Sequence, residues 1–410
     1  MEQNNYKIIA VLLLLSVYLP TAHAVSRWGS DLHSAYFYHN NVFKLADENE
    51  AQDILGANTM DDYLWMRGAS LDAELDYQQQ NAQFELGWDR LQYSRFSFLD
   101  NDALRISTRW RGQVYGPLVG KIDYSLRDEL ADYAELDEFR DIRFMRQQNN
   151  IAAQLQVELG GSWRLGSRIS GSDTAFRQDY RVNIPNVKPG SQLSNRQFLS
   201  SSISLDFIRG EQREISLVTS VGSLRFQQDT DTNKDRDSQV YDVYTRIKWA
   251  IAGHTGIDMR LGGRYREFPA STRANVLGLV GEVRAIWAPT EKYRFSAVYR
   301  HDRDAVEYHD ADYATINETV LVSELKMLHN FELRLLSNAR WHRFDGASSQ
   351  TGNRQDFVGS GQFELLYVFR TYLQLGSYIK FERRFSTTTN TQNHNYESAV
   401  AGLNVSLIYK

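Results

Sequence analysis

The chain closes on NYESAVAGLNVSLIYK, in which Ala399, Ala401, Leu403, Val405, Leu407 and Tyr409 alternate with Ser398, Gly402, Asn404 and Ser406. A side-chain period of two puts the first set on one face of a β-strand and the second on the other. One face is oily, the other polar. The same alternation recurs over 82–88, 104–110, 151–159, 241–249, 331–341 and 373–381. Within 104–110, Leu104, Ile106, Thr108 and Trp110 oppose Arg105, Ser107 and Arg109; within 293–302, Tyr293, Phe295, Ala297 and Tyr299 oppose Arg294, Ser296 and Arg300. A chain patterned like this throughout is all-β, with a sheet that separates two environments.

The environment on the oily side follows from the start of the sequence. MEQNNYKIIAVLLLLSVYLPTAHA has a polar opening with Lys7, an apolar run and the small-residue site Ala22-His23-Ala24, so residues 1–24 read as a secretory signal peptide and the mature chain as 25–410. Beyond it the longest apolar run, 365–369, is far too short for a transmembrane helix. Mean hydropathy is only -0.50. Yet 23 Tyr, 20 Phe and 8 Trp beside 6 Pro suit long strands with aromatic belts. The absence of cysteine excludes thiolate chemistry and disulfides, and a net charge of -5 gives no reason to expect nucleic acid as a partner.

Connections come in two kinds. Short ones near 78–81, 115–117, 164–166, 210–212, 253–255, 289–292, 329–330 and 370–371 take turns with longer polar ones over 45–62, 136–148, 180–194, 227–239, 308–313, 345–355 and 387–395. One rim is tight and the other elaborate, which is the pattern of a transmembrane antiparallel β-barrel of the Gram-negative outer membrane, with short periplasmic turns and longer outer loops. With a first strand over 30–39 the tally is about eighteen strands, sixteen being the alternative, and an even number puts both termini on the periplasmic side. Trp110, Trp163, Trp249 and Trp287 are expected just before short turns, in a periplasmic girdle. A soluble sandwich or propeller would use shorter strands, of about 5 to 6 residues. The few residues ahead of the first strand leave no room for a plug, so the lumen, wide enough for water, is open or closed by its own loops.

Motifs for catalysis are missing: there is no Gly-x-Ser-x-Gly elbow, no His-Glu-x-x-His pair and no phosphate-cradling glycine loop, so neither an enzyme nor a cofactor is expected. His301, Asp302, Asp304, His309, Asp310 and Asp312 gather near one outer loop, and Asp229, Asp231, Asn233, Asp235 and Asp237 follow calcium-loop spacing. Lys234 replaces the turn glycine there and Val240 the bidentate glutamate, so both groups read as solvated loops and no metal is assigned.

The polar strand faces carry more. Arg105, Arg109 and Arg111 are followed on the next strand by Lys121, Asp123, Arg127 and Glu129. Later strands add Asp242, Tyr244, Arg246 and Lys248, then Asp258, Arg260, Arg264 and Arg266. Glu332, Arg334 and Arg340 come next, and Tyr378, Lys380, Glu382 and Arg384 complete the set. For any one of these, cross-strand charge pairing that stiffens the wall is the ordinary reading. Together they form a mixed-charge lining suited to a hydrated polar polymer, with no one-signed ladder. All except Lys121, Asp242, Lys248, Asp258, Arg266 and Glu332 are taken as candidate substrate-binding residues.

Two stretches carry a family resemblance. SAYFYHNNVFKLADENEAQD resembles the opening of the β-barrel porin type 2 family, in which an aromatic strand runs into an Asn-Val-Phe element before the first outer loop. IKFERRFSTTTNTQNHNYESAVAGLNVSLIYK is similar to that family's last hairpin, with Phe381-Glu382-Arg383-Arg384 leaving one strand and Tyr396 opening the next. The resemblance implies an outer-membrane barrel associated with exopolysaccharide or biofilm-matrix export, supplying the pore for a periplasmic polysaccharide-export protein. Outer-membrane lipid, lipopolysaccharide and the barrel-assembly machinery would be its other partners. The chain departs from the pattern by ending Tyr409-Lys410 rather than on an aromatic, although Tyr409 keeps the alternation in phase for assembly. The expected function is a passive conduit for an extracellular polysaccharide. A diffusion porin for sugars or other small nutrients and a surface polysaccharide-binding barrel are the alternatives. A buried Ser–His pair facing lipid would instead point to a barrel lipase or deacylase.

Overall fold

The structure, a computed structural model, describes residues 25–409 apart from 57, 133–142, 180–194, 211, 228–236, 253, 270–273, 306–312, 329, 346–353, 371 and 388–394. Its strands, in chain order, are β1 (Val25–His39), β2 (Asp62–Tyr77), β3 (Gln80–Tyr93), β4 (Asn101–Tyr115), β5 (Leu118–Leu130) and β6 (Arg143–Gly160). The middle third of the wall is β7 (Trp163–Asp179), β8 (Arg196–Arg209), β9 (Arg213–Phe226), β10 (Ser238–Ala252), β11 (Thr255–Glu267) and β12 (Val276–Thr290). The remainder is β13 (Tyr293–Ala305), β14 (Tyr313–Leu328), β15 (Phe331–Asp345), β16 (Gln355–Val368), β17 (Leu373–Ser386) and β18 (Tyr396–Tyr409). Each pairs antiparallel with its sequence neighbours, and β18 returns to β1 in the register Ser30↔Tyr409 to His39↔Val400. The 18-stranded sheet is therefore a closed barrel.

Alternation decides which side each residue faces. Leu32, Leu199, Leu261, Leu279 and Leu403 stand on the outer face, 60–69% exposed. The opposite parity carries the charges. Several of these reach over an intervening strand, as do Arg164 of β7 to Glu214 of β9 at 3.1 Å and Arg264 of β11 to Asp302 of β13 at 3.0 Å. Such convergence belongs to the concave side of a closed wall. Rings of Trp28, Trp163, Trp249 and Trp287 girdle the outer face at the turn end, and Tyr36, Tyr63, Trp65, Tyr265 and Trp341 do so at the loop end.

The eight connections at the turn rim span two to four residues, and the nine at the other rim seven or more. An even strand number brings Val25 and Tyr409 both to the turn rim. Some expected boundaries move. The turn between β6 and β7 lies at 161–162, not 164–166, because Gly160 (φ 98°) and Gly161 (φ 61°) take the backbone conformation other residues avoid, while Trp163, Arg164 and Leu165 already alternate. Trp163 thus follows its turn rather than preceding it. β1 starts at Val25, ahead of 30, and β6 at Arg143, inside the stretch read as a loop. Two loops were not anticipated, 94–100 with a short 3-10 turn at Ser97–Leu99, and 268–275. His301 and Asp302 belong to β13, on opposite faces, not to a loop, because the alternation of 293–302 carries on through them. His309, Asp310 and Asp312 lie outside the described residues, as do Asp229, Asp231, Asn233, Lys234 and Asp235.

Candidate functional site: the lumen and its mouth

The first long connection, 40–61, does not stay outside. It carries α1 (Glu48–Leu55), capped at its start by Asp47, whose carboxylate accepts from Glu50 N at 2.9 Å, and at its end by Gly56 at φ 65°. Glu50 in turn accepts from Ala46 N at 2.6 Å, one residue ahead of the cap, a reciprocal bond close to that of a capping box. Around this turn the chain buries Val42, Phe43, Leu45 and Ala51, with Phe43 and Leu45 at 0% exposure. Their partners are Tyr93, Phe96, Leu99, Ala131 and Phe144, flanked by Leu64, Leu91 and Phe176. Leu64, Leu91, Tyr93, Phe144 and Phe176 have the inward parity of β2, β3, β6 and β7. The loop therefore dips into the mouth and packs on the inner wall. Each large apolar side chain buried there stabilises the arrangement by about 1.5–3 kcal/mol.

A charged tether fixes the other side of the same loop. Lys44 Nζ lies 2.7 Å from Glu382 on β17 and 3.0 Å from Asp132, just past β5. Those strands are six pairings apart around the wall, through β18, β1, β2, β3 and β4. The lysine spans the mouth. Glu382 also accepts from Tyr396 Oη at 2.7 Å and pairs with Lys380 at 2.9 Å. Burial works against the Lys44 ammonium, but Asp132, Tyr396 and Glu382 together outweigh it and hold its pKa well above the ordinary lysine range. Asn41 adds neutral bonds, donating to Leu45 O at 2.7 Å and to Glu397 O at 2.9 Å.

At the mouth and below it, all the residues singled out from the sequence share the inner face, spread around it rather than gathered in one cluster. Arg109 meets Asp123 at 3.0 Å, with Lys121 on the same carboxyl at 2.8 Å, and Glu129 takes Arg146 at 2.7 Å. Arg105 stands opposite Arg127 and Arg111 opposite Lys121 in register. Arg105 finds Asp89 at 2.8 Å, whereas Arg111 and Arg127 have no ion pair among the described residues. Further round, Arg246 bonds Asp258 at 2.9 Å, Arg264 bonds Asp242 at 2.8 Å, and Arg260 lies 5.0 Å from the Tyr244 ring centre. Arg340 meets Glu318 at 2.6 Å, Arg334 stands 3.7 Å from both Glu324 and Glu364, and Arg384 holds Asp356 at 2.6 Å. Tyr378 meets Phe37 edge-on at 6.1 Å, next to Lys380 and Glu382. The wall is polar, mixed in sign and largely neutralised in pairs.

One array was missed from the sequence. His33 of β1 lies 2.6 Å from Asp89 of β3, over the top of β2, and 2.9 Å from Asp31. The reach exists because position 68 has no side chain: a Cβ on Gly68 would come within 2.1 Å of Asp89 Oδ1 and 2.5 Å of His33 Nε2. Gly68→Ala is expected to separate the pair and lower stability by about 1–3 kcal/mol, the usual cost of overpacking. The check is the urea midpoint of the folded barrel followed by its heat-modified gel mobility, and an unchanged midpoint would refute it.

A Ser–His pair is also present. His39 Nε2 lies 2.8 Å from Ser398 Oγ, but both residues face the lumen, not lipid, and no carboxylate is bonded to His39 Nδ1 among the described residues. It is a bond across the β1–β18 seam.

No protein-family model matches the chain, and no curated protein matches it in sequence. Among solved structures it is similar to OpdQ of Pseudomonas aeruginosa at TM-score 0.48 and 10% identity, covering 94% of this chain and 98% of that one. OccAB3 of Acinetobacter baumannii gives TM-score 0.46 and 10% identity over 94% and 99% of the two chains. The siderophore receptor PirA of Pseudomonas aeruginosa gives 0.42 and 8% over 95% and 81%. At such scores and identities these proteins say nothing of what this lumen carries.

Proposed function

We propose that the chain is a passive channel of the outer membrane through which small polar solutes diffuse. The observation that carries this reading is the loop 40–61, held inside the mouth by a buried apolar cluster and by Lys44 between Glu382 and Asp132. On this reading it narrows the opening to a passage for small molecules. The apolar outer wall fits lipid and the paired, mixed-sign inner wall fits neutral or weakly charged hydroxylated solutes such as sugars. On this reading the loop rim faces outward and both chain ends face the periplasm, and the residues from Arg105 to Arg384 act as a weakly selective lining.

Export of a polysaccharide with a periplasmic partner is the second reading, favoured by the resemblance of the two chain ends to type 2 porins. It requires the mouth to clear for a polymer. The two separate in proteoliposome swelling: the channel is expected to admit mono- and disaccharides and to exclude longer oligosaccharides. Absence of swelling with any sugar, together with periplasmic build-up of polymer in a deletion strain, would overturn diffusion in favour of export.

A further inference from the structure

On the outer face, toward the loop rim, two arginines stand directly opposite each other. Arg67 of β2 and Arg90 of β3 are register partners, and their parity is that of Trp65 and Trp88, outside the wall. Like charges in this position repel, and the lipid face of a barrel is where arginine is least welcome. Compensation among the described residues is incomplete. Arg90 has Asp102 at 2.9 Å, an exposed pair, while among the described residues Arg67 has the Gln92 amide oxygen and the Trp65 ring, whose centre is 4.2 Å from its guanidinium carbon, and no carboxylate. Among the described residues one carboxylate serves the pair, and it meets Arg90 alone. Arg383 on the same face, by contrast, has a carboxylate of its own, Glu397 at 2.7 Å.

The surroundings set the depth of the pair. Tyr36 stacks on Tyr63 at 5.7 Å and Tyr38 leans on the same ring at 5.2 Å, while Trp65 Nε1 donates to Ser34 Oγ at 2.8 Å. Tyr and Trp held in this way mark the headgroup level of a membrane. Arg67 branches two residues below Trp65, about 7 Å along the strand toward the turn rim, but its guanidinium reaches back over the Trp65 ring. That brings it up to the aromatic level, within reach of lipid phosphates, and a guanidinium fork matches a phosphate through two parallel bonds. We infer that Arg67 and Arg90 bind the phosphorylated headgroup of a lipid in the leaflet at the loop rim, held against the shelf of Tyr36, Tyr63 and Trp65. The inference rests on the membrane reading of the outer wall and not on which solute the lumen passes.

The test is native mass spectrometry of the whole barrel in detergent, with bisphosphorylated lipopolysaccharide, its dephosphorylated form and inorganic phosphate as probes. Wild type is expected to retain the bisphosphorylated lipid and not the dephosphorylated one. An Arg67→Gln/Arg90→Gln double variant should bind it about tenfold or more weakly, for the loss of charge-assisted bonds. Arg383→Gln should bind like wild type, and Arg67→Lys, which keeps the charge but loses the fork, should fall between. Equal retention by the double variant, or of the dephosphorylated lipid, would overturn the site. Displacement of the lipid by millimolar inorganic phosphate would reduce it to an anion site and also overturn it. Heat-modified mobility shows that each variant folds; if the double variant does not, Arg67→Lys and the three probes on wild type still decide. Single-channel conductance should not change in any variant, so failure of the lipid site and failure of the channel reading are separable.

Discussion

Lys44→Met is expected to raise single-channel conductance and to let larger sugars through in swelling assays, while the barrel still assembles. The substitution removes a group that joins β17 to the end of β5 across the mouth, yet Glu382 keeps Lys380 and Tyr396 as partners. The wall loses little. The loop loses a charge-assisted tether worth about 1–3 kcal/mol, which shifts the ratio of pinned to released loop by on the order of ten- to a hundredfold. Phe43 and Leu45 still anchor its apolar side, so the conductance should rise and fluctuate rather than reach that of a loop deletion. Lys44→Arg should behave as wild type. The pKa of Lys44 is raised in the fold, so the tether contributes fully below the unfolded lysine value and is lost only as pH climbs through the higher folded one. Conductance should therefore hold up to about pH 10, near the free lysine value. Identical conductance in wild type and Lys44→Met would mean that the loop is not the constriction.

Leu403→Arg and Asn404→Arg form the second pair, neighbours in sequence and opposite in surroundings. Leu403 lies midway along β18 on the outer face at 68% exposure, opposite Tyr36 and Ser377. An arginine there faces lipid on the membrane side of the Tyr36 shelf, at a cost of at most about 2–4 kcal/mol, the midplane value. Asn404 points inward over Gly376, whose missing Cβ would come within 1.9 Å of its side-chain oxygen. An arginine can leave that spot by extending into the lumen, among paired charges. The expected result is a large fall in assembled, heat-modifiable barrel for Leu403→Arg and near-normal yield for Asn404→Arg. Equal yields would mean that the faces are assigned the wrong way round.

What the sequence could disclose follows from its period. Because side chains alternate strictly, Leu104 and Trp110 had to part from Arg105 and Arg109, and a lining could be read from one chain without any pairing. Partners could not. Arg109 meets Asp123 and Arg264 meets both Asp242 and Asp302 only after register is set, by turns such as Gly160-Gly161 that shift boundaries by a few residues. His33 and Asp89 are fifty-six residues apart and meet over a glycine on a third strand. The inward loop was the largest omission, since 45–62 reads as one more polar connection. Its signal was local: Val42, Phe43 and Leu45 stand ahead of a capping-box spacing from Asp47 to Glu50, more oil than an outer loop needs and a helix start to aim it.

The seam between β1 and β18 has a consequence for biogenesis. Every hydrogen-bonding edge is satisfied only when the final strand finds the first, so until Tyr409 settles against Ser30 the sheet is an open ribbon with two adhesive borders. No sub-fragment can hide them, which makes completion all-or-none. The most distant partners in the chain decide whether any of it survives: a polypeptide cut short at any strand is left with unpaired borders, prey for aggregation and proteolysis rather than a smaller pore.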